Sequence, residues 1–168
     1  VPMPCYAPPP PEANVYTDGS LKQPRFQAWA MGGFGLWWPG RQIAGPKPAY
    51  PGGPGKKPIQ PGEAECTSHV QHTKGLGLWG SLPGARASST RTELAAAVVS
   101  LQALGPVFLA TDSESFAKRV NRILAGEDLT AHKPWSLQKD GDLWEMFTRA
   151  ARAKGYGSIK IMWVKGHA

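Results

Sequence analysis

Residues 15–20 read Val-Tyr-Thr-Asp-Gly-Ser, and this stretch begins the pattern that predicts the fold. Its first three residues favour a strand, which Asp18 and the following glycine end. Residues 107–113 read Val-Phe-Leu-Ala-Thr-Asp-Ser, so a second apolar run, typical of a strand buried on both faces, ends at Asp112. Residues 89–94 read Ser-Thr-Arg-Thr-Glu-Leu and place Glu93 at the start of a helix. Three acidic residues therefore lie where predicted core elements begin or end.

The rest of the chain adds strands and helices in an order typical of an α/β fold. Apolar residues at helical spacing predict a helix from 94 to 104, which the following Gly-Pro pair ends. The other predicted elements are strands at 29–38, 76–82 and 159–164 and helices from 116 to near 126 and from 143 to near 155. The order β-β-β-α-β-α-α-β describes a mixed sheet flanked by helices. If its first and fourth strands are neighbours, Asp18 and Asp112 lie side by side, and a helix packed across them can direct Glu93 at both.

Two segments differ in composition from this predicted core. Residues 1–13 are rich in proline, with four consecutive prolines at 8–11, and are expected to form an extended arm or linker. Residues 39–65 are dense in glycine and proline and have no helical or strand period, which predicts a long surface insertion. The α/β domain itself is predicted to span residues 14–168.

The composition favours a polyanionic partner. The 168 residues suit one domain with a hydrophobic core. A net charge of +7 indicates a polyanionic partner but no particular fold, and many ribosomal and membrane-surface proteins share it. Two cysteines, Cys5 and Cys66, do not make a disulfide framework, so a reducing, intracellular compartment is favoured. The longest apolar stretch is interrupted and too short to span a bilayer.

Each of the three acidic residues also has a purely local explanation. Asp18 and Gly19 can form a tight turn, Glu93 can complete a capping box with Thr90, and Asp112 can cap the helix that follows it. Taken together, however, three carboxylates at one edge of a compact core would form a cluster of negative charge. Such a cluster stays ionised at neutral pH when divalent cations neutralise it. The set therefore points to a metal site of the kind that cleaves phosphodiesters.

Five short motifs, in order along the chain, resemble those of the type 1 ribonuclease H family. They are residues 16–20 (Tyr-Thr-Asp-Gly-Ser), 91–94 (Arg-Thr-Glu-Leu), 111–113 (Thr-Asp-Ser), 142–144 (Asp-Leu-Trp) and 163–168 (Trp-Val-Lys-Gly-His-Ala). The resemblance runs from Asn14 to Ala168. It implies a ribonuclease H-like fold, with a five-stranded mixed sheet whose first three strands are antiparallel.

The resemblance also implies an activity, which is hydrolysis of the RNA strand of an RNA–DNA hybrid by a two-metal endonuclease. Asp18, Glu93 and Asp112 would ligate two Mg²⁺ or Mn²⁺ ions about 3.5–4 Å apart. His167 would assist proton transfer or product release. The residues expected to contact the nucleic acid are Gly19 and Ser20, near the RNA sugar, together with Ser89, Thr90, Arg91 and Ser113.

The sequence departs from the family pattern in ways that leave a second function open. Family members continue past the position of His167 into a helix that bears a fourth carboxylate, and we expect that ligand to be absent because the sequence ends at Ala168. A domain of a longer retroelement polyprotein is one explanation. The alternative function is a catalytically weak or inactive ribonuclease H-like module that serves as a scaffold or subunit of a larger assembly.

Two further groups of residues suggest binding sites more weakly. Cys66, His69 and His72 are three apart, as in some zinc sites, but a fourth ligand at suitable spacing is missing. Basic residues also recur on two predicted helices, as Lys118, Arg119 and Arg122 and as Arg149, Arg152 and Lys154. At least one of these basic sets is expected to contact phosphate, although either could be an ordinary solvated helix face.

Overall fold

The structure, a computed structural model, describes residues 1–19, 33–82 and 89–165, with the side chains of Asp18 and Ser89 excepted. The strands within these residues are β1 Val15–Gly19, β2 Gly33–Pro39, β3 Arg41–Gln42, β4 Gly55–Lys56, β5 Ser68–His72, β6 Gly75–Ser81, β7 Val107–Thr111 and β8 Ile159–Trp163. The α-helices are α1 Pro61–Ala64, α2 Ser89–Leu101, α3 Glu114–Leu124 and α4 Gly141–Lys154. In this described part of the chain, no helix is long and apolar enough to cross a bilayer.

A mixed sheet forms the centre of the fold, as predicted. Its strand order within the described residues is β5-β6-β2-β1-β7-β8. β2 runs antiparallel to both β1 and β6, whereas β1 and β8 run parallel to β7. The α/β class and the antiparallel first three predicted strands are therefore confirmed. The start of the predicted second strand, residues 29–32, lies outside the described residues.

Among the described residues, the central sheet has six strands, one more than predicted, because β5 adds an edge strand to β6. Most of the side chains of β5 are exposed, so its sequence, Ser-His-Val-Gln-His, lacks the alternation of apolar and polar residues that marks a half-buried strand. Backbone pairing with β6, rather than burial of its own side chains, holds β5 in the sheet.

The core lies between one face of the sheet and the helices α2, α3 and α4. Alternate residues of β2 are buried on this face, namely Phe34, Leu36 and Trp38. α2 packs across β1, β2 and β7 and contacts α4 on its other side. Since α2 is covered on two sides, it is rich in buried small and apolar residues, from Leu94 to Leu101. This arrangement places the first turns of α2 over the ends of β1 and β7.

Residues 39–65 carry more structure than the predicted surface insertion. They contain the short parallel pair β3–β4 and the helix α1. Arg41 and Glu63 are both buried, with 2% and 0% of their side chains exposed, and form a salt bridge whose Nη1–Oε1 distance is 2.6 Å. Arg41 also lies over the ring of Trp38, 4.9 Å from its centroid. The segment is thus anchored to the core by a buried ion pair, which a solvated loop would not have.

The proline-rich residues 1–13 lie along the domain and are tied to it at several points. The amide of Cys5 donates to the carbonyl oxygen of Lys154 at 2.8 Å. Asn14 pairs with Phe108 through main-chain and side-chain bonds of 3.0 and 2.8 Å. Gly52 has a φ of +82° and lies so close to Pro10 that a Cβ would be 3.1 Å from its ring, so a larger residue would displace the arm.

Candidate active site

Glu93 lies in the first half of α2, and the protein buries it against two strands. Only 4% of the residue is exposed. Its Oε2 atom accepts hydrogen bonds from the hydroxyls of Thr17 in β1, at 2.7 Å, and Thr111 in β7, at 3.0 Å. Both threonines lie on the sheet face that α2 covers, because each is two residues after a core residue of its strand, Val15 and Leu109. The carboxylate is therefore fixed at the junction of β1, β7 and α2.

The two predicted aspartates directly follow these threonines in the chain. Asp18 is a residue of β1, where its backbone pairs with Gly35 of β2. Asp112 is exposed and follows the last residue of β7, and its carbonyl oxygen accepts a bond from Trp163 Nε1 at 3.2 Å. The structure thus brings Glu93 to the strand ends that carry both aspartates. The Asp18 carboxylate lies outside the described residues, so convergence of the three carboxylates stays a prediction.

The local explanations for Glu93 and Asp112 are wrong in detail. Thr90 lies inside α2 rather than at its N-cap, so Glu93 does not complete a capping box with it. Ser113, not Asp112, caps α3, and its hydroxyl accepts from the amide of Phe116 at 3.4 Å. Asp112 is therefore not the residue that caps α3.

Arg91, predicted to contact nucleic acid, joins α2 to α4. Its Nη1 donates to Asp142 Oδ1 at 2.9 Å and its Nη2 donates to Asp142 Oδ2 at 2.7 Å. A third bond, of 3.3 Å, reaches Asp140. These bonds raise the pKa of Arg91 above its already high ordinary value and lower the pKa of Asp142 below its usual range. A phosphate contact by the same nitrogen atoms would compete with the two aspartates.

The other residues predicted to contact nucleic acid are described to different extents. Thr90 is half-buried at the start of α2, and Ser113 holds the start of α3. Gly19 ends β1, where its backbone pairs with Phe34. Ser89 is described only as the backbone of the first residue of α2. The predicted residues Ser20 and His167 lie outside the described residues.

A basic groove lies beside the start of α2, between α3 and α4. Its volume is about 510 Å³, and its lining includes Thr90, Ser115, Lys118, Arg119, Arg122 and Lys139. Arg119 stacks over Trp144, with its guanidinium carbon 4.9 Å from the ring centroid. Burial, followed by the charge of Arg122, lowers the pKa of Arg119 from its usual value. The sequence predicted that Lys118, Arg119 and Arg122 lie on one side of a helix. That Lys139 also lines the groove depends on tertiary packing, which the sequence pattern does not show.

The weaker zinc hypothesis is wrong. Cys66, His69 and His72 all lie in the described part of the chain, where no group of three such residues could hold a metal ion. His69 and His72 are three apart on β5, and side chains at that spacing on a strand point to opposite faces. His72 instead packs edge-on against Trp37, with ring centroids 5.7 Å apart.

Comparison with known proteins identifies the family. A model of the RNase H family matches residues 55–168, which is more than half of the chain. The chain belongs to the RNase H family. The solution structure of the PFV RNase H domain has a similar fold, with a TM-score of 0.50 and 23% identity over 91% of this chain and 78% of that chain. No curated protein matches the chain.

Membership of the RNase H family confirms the resemblance found in the sequence motifs. It supports, at a coarse level, a ribonuclease H-type nuclease that acts on RNA–DNA hybrids. Members of this family usually use divalent metal ions. The donor set fits such ions, because Asp18, Glu93 and Asp112 offer only carboxylate oxygens, the ligand type that Mg²⁺ and Mn²⁺ prefer.

Proposed function

We propose that this chain is a metal-dependent endonuclease that hydrolyses the RNA strand of RNA–DNA hybrids, with Asp18, Glu93 and Asp112 as the ligands of two Mg²⁺ or Mn²⁺ ions. The observation that carries the proposal is the position of Glu93. Its buried carboxylate is bonded to Thr17 and Thr111, the residues that directly precede the two aspartates. On this proposal, the carboxylates of Asp18, Glu93 and Asp112 meet where β1 and β7 end.

The proposed site residues have different roles: some bind the metal ions and others act on the substrate. When bound, a pair of such ions activates a water molecule and stabilises the leaving 3′-oxygen. Glu93 supplies a ligand on a rigid helix, buried and fixed by two hydroxyl donors. Asp112 supplies one at the exposed end of β7, where solvent and substrate can reach it. His167 is proposed to assist proton transfer or product release.

The basic groove supports a polyanionic substrate. It begins at Thr90, three residues before Glu93, and continues along the exposed side of α3 to Lys118 and Arg122. A nucleic-acid strand that passes the carboxylates can place its phosphates near these cations, which fits the net charge of +7. Gly19, the last residue of β1, and Ser20 are proposed to contact the RNA sugar, whose 2′-hydroxyl distinguishes RNA from DNA.

A cleavage assay on a labelled RNA–DNA hybrid tests the proposal. The chain is incubated with Mg²⁺ or Mn²⁺, alongside Asp18→Asn, Glu93→Gln and Asp112→Asn. Cleavage of the RNA strand that requires the metal and is lost in all three variants supports the nuclease. Glu145→Gln is the matched control, because Glu145 is a partly exposed acid on α4 that pairs with Arg149. Full activity in the three variants, or none in the unmodified chain at either metal, contradicts the proposal.

A further inference from the structure

Two threonine hydroxyls from neighbouring parallel strands converge on a single atom of Glu93. Thr17 lies in β1 and Thr111 in β7, and both donate to Oε2. The backbone register pairs Tyr16 with Ala110, so the next residue on each strand is one of these threonines. The convergence follows directly from the strand pairing. It joins the two strands to α2 directly before the two aspartates.

The hydrogen of each hydroxyl is directed at the carboxylate. Thr111 Oγ1 accepts a bond from the amide of Ser113 at 3.1 Å, so its only hydrogen remains to donate to Glu93. Thr17 Oγ1 is 2.7 Å from Glu93 Oε2 and 3.4 Å from the carbonyl oxygen of Ala110, and the shorter contact is the stronger bond. Hydroxyl donors at these lengths stabilise the negative charge of the carboxylate and restrict its rotation.

Packing alone does not explain why positions 17 and 111 carry hydroxyl groups. Valine has the same branched shape as threonine and suits a strand equally well, so it would fill the space against α2. The hydroxyl differs from the valine methyl only in its hydrogen bonds. At Thr111 those bonds connect Glu93 to the amide of Ser113, directly after Asp112, so one side chain sets the positions of α2 and of the bend that carries Asp112.

We infer that Thr17 and Thr111 are positioning residues that hold the Glu93 carboxylate in the orientation needed to bind metal, an inference that rests on the nuclease function proposed above. They act through Glu93 and do not themselves touch the substrate or the ions. Groups that orient the ligands of a metal site typically contribute about 10- to 100-fold to metal affinity or activity. Both threonines should therefore matter for the metal far more than for the hybrid.

The test compares Thr17→Val and Thr111→Val with Thr17→Ser and Thr111→Ser. Calorimetry measures Mn²⁺ binding to each free protein, and kinetics give the KM for the hybrid, kcat and the metal concentration for half-maximal activity. We expect each valine variant to bind Mn²⁺ about 10- to 100-fold more weakly, with kcat reduced and the KM for the hybrid unchanged. The serine variants keep the hydroxyl and should restore metal binding. Thr148→Val is the matched control, because its hydroxyl bonds only to Trp144 O within α4.

The outcomes separate this inference from the proposed function. If the unmodified chain binds Mn²⁺ and cleaves the hybrid while Thr17→Val does both equally well, the positioning role is overturned and the nuclease stands. If the unmodified chain neither binds Mn²⁺ nor cleaves, both are overturned. Thr111 is fully buried and its valine variant can fail to fold. Thr17 is only half-buried, so we expect its variants to fold, and circular dichroism of Thr17→Val and Thr17→Ser checks this. The comparison of these two variants then decides whether the positioning role holds.

Discussion

Arg91 at the start of α2 and Asp142 in the first turn of α4 face each other as a bidentate ion pair, with N–O distances of 2.9 and 2.7 Å. Each belongs to one of the sequence motifs that resemble ribonuclease H, and each lies near a helix start. The pair fixes the end of α2 that carries Glu93 against α4. It therefore links two motifs that are 51 residues apart in the chain.

A double-mutant cycle of Arg91→Met and Asp142→Asn should measure this pair. Because the geometry is bidentate but the Asp142 side chain is 63% exposed, we expect a coupling free energy of about 1 kcal/mol at pH 7. Arg91 lowers the pKa of Asp142, so the carboxylate contributes stability at neutral pH and loses it as the pH falls below about 4. Urea denaturation at pH 7 and pH 3 checks both points, and a coupling that does not shrink at pH 3 contradicts the assignment.

The buried pair of Arg41 and Glu63 should matter more for stability. Arg41→Met leaves the fully buried Glu63 without its cation, which should lower the free energy of unfolding by roughly 3–5 kcal/mol. Arg41→Met combined with Glu63→Gln should recover part of that loss, because no charge is then buried alone. Lys47→Met, an exposed cation in the same segment, should change stability by less than about 0.5 kcal/mol. Equal effects of Arg41→Met and Lys47→Met would show that the pair is not buried in solution.

The titration of Lys57 should raise the free energy of unfolding as the pH increases from about 8 to 10.5. Burial lowers its pKa from 10.5 to about 8, and the positive charges of Arg41 and Lys154 add to the effect. Between these two values the unfolded chain binds a proton that the folded chain has lost, so stability rises with pH. The rise attributable to Lys57 is at most about 3 kcal/mol.

Lys57→Met isolates this effect. The difference in free energy of unfolding between variant and unmodified protein should be constant below pH 7 and should change steadily from about pH 8 to 10.5. Burial also lowers the pKa of Lys154, but Lys154 is present in both proteins, so its contribution cancels in the difference except for its electrostatic coupling to Lys57. Parallel stability curves across that range would mean that Lys57 is solvated.

The basic groove should contribute to hybrid affinity in a salt-dependent way. Lys118 is 74% exposed and pairs loosely with Glu114 at 3.3 Å, so its ammonium can contact a phosphate. Lys118→Gln should weaken binding and reduce the slope of log affinity against log salt by about 0.9. Arg149→Gln is the control, because Arg149 is equally exposed on α4 but does not line the groove. Identical slopes in both variants would show that the groove is not part of the surface that binds the hybrid.

The sequence predicted the parts of the fold that depend on local pattern. The apolar run before Asp112 predicted a strand, and β7 is buried along its whole length. β5 lacked such a signal because its side chains are exposed. The burial of Arg41 and Glu63 could not be read from the sequence either, since charged residues are usually on the surface and only tertiary contacts reveal a buried pair.

The sequence predicted residues for the candidate site but not the contacts that they make. The motifs indicated Glu93 and the two aspartates, and the strand order then placed the ends of β1 and β7 together. The bonds from Thr17 and Thr111 to Glu93 depend on how α2 sits over the sheet, which no local pattern specifies. The sequence carried one clue, a threonine directly before each aspartate.

β1 has neighbours at very different distances along the chain. β2, its antiparallel partner, is the next strand among the described residues, whereas its parallel partner β7 lies far away, as the 94-residue separation between Asn14 and Phe108 shows. Loop-closure entropy therefore favours pairing of β1 with β2 early in folding and delays the β1–β7 ladder. During synthesis β1 presents a bare edge until residue 111 has left the ribosome, and such an edge can pair with another nascent chain. We expect refolding yield to fall with rising protein concentration for this reason.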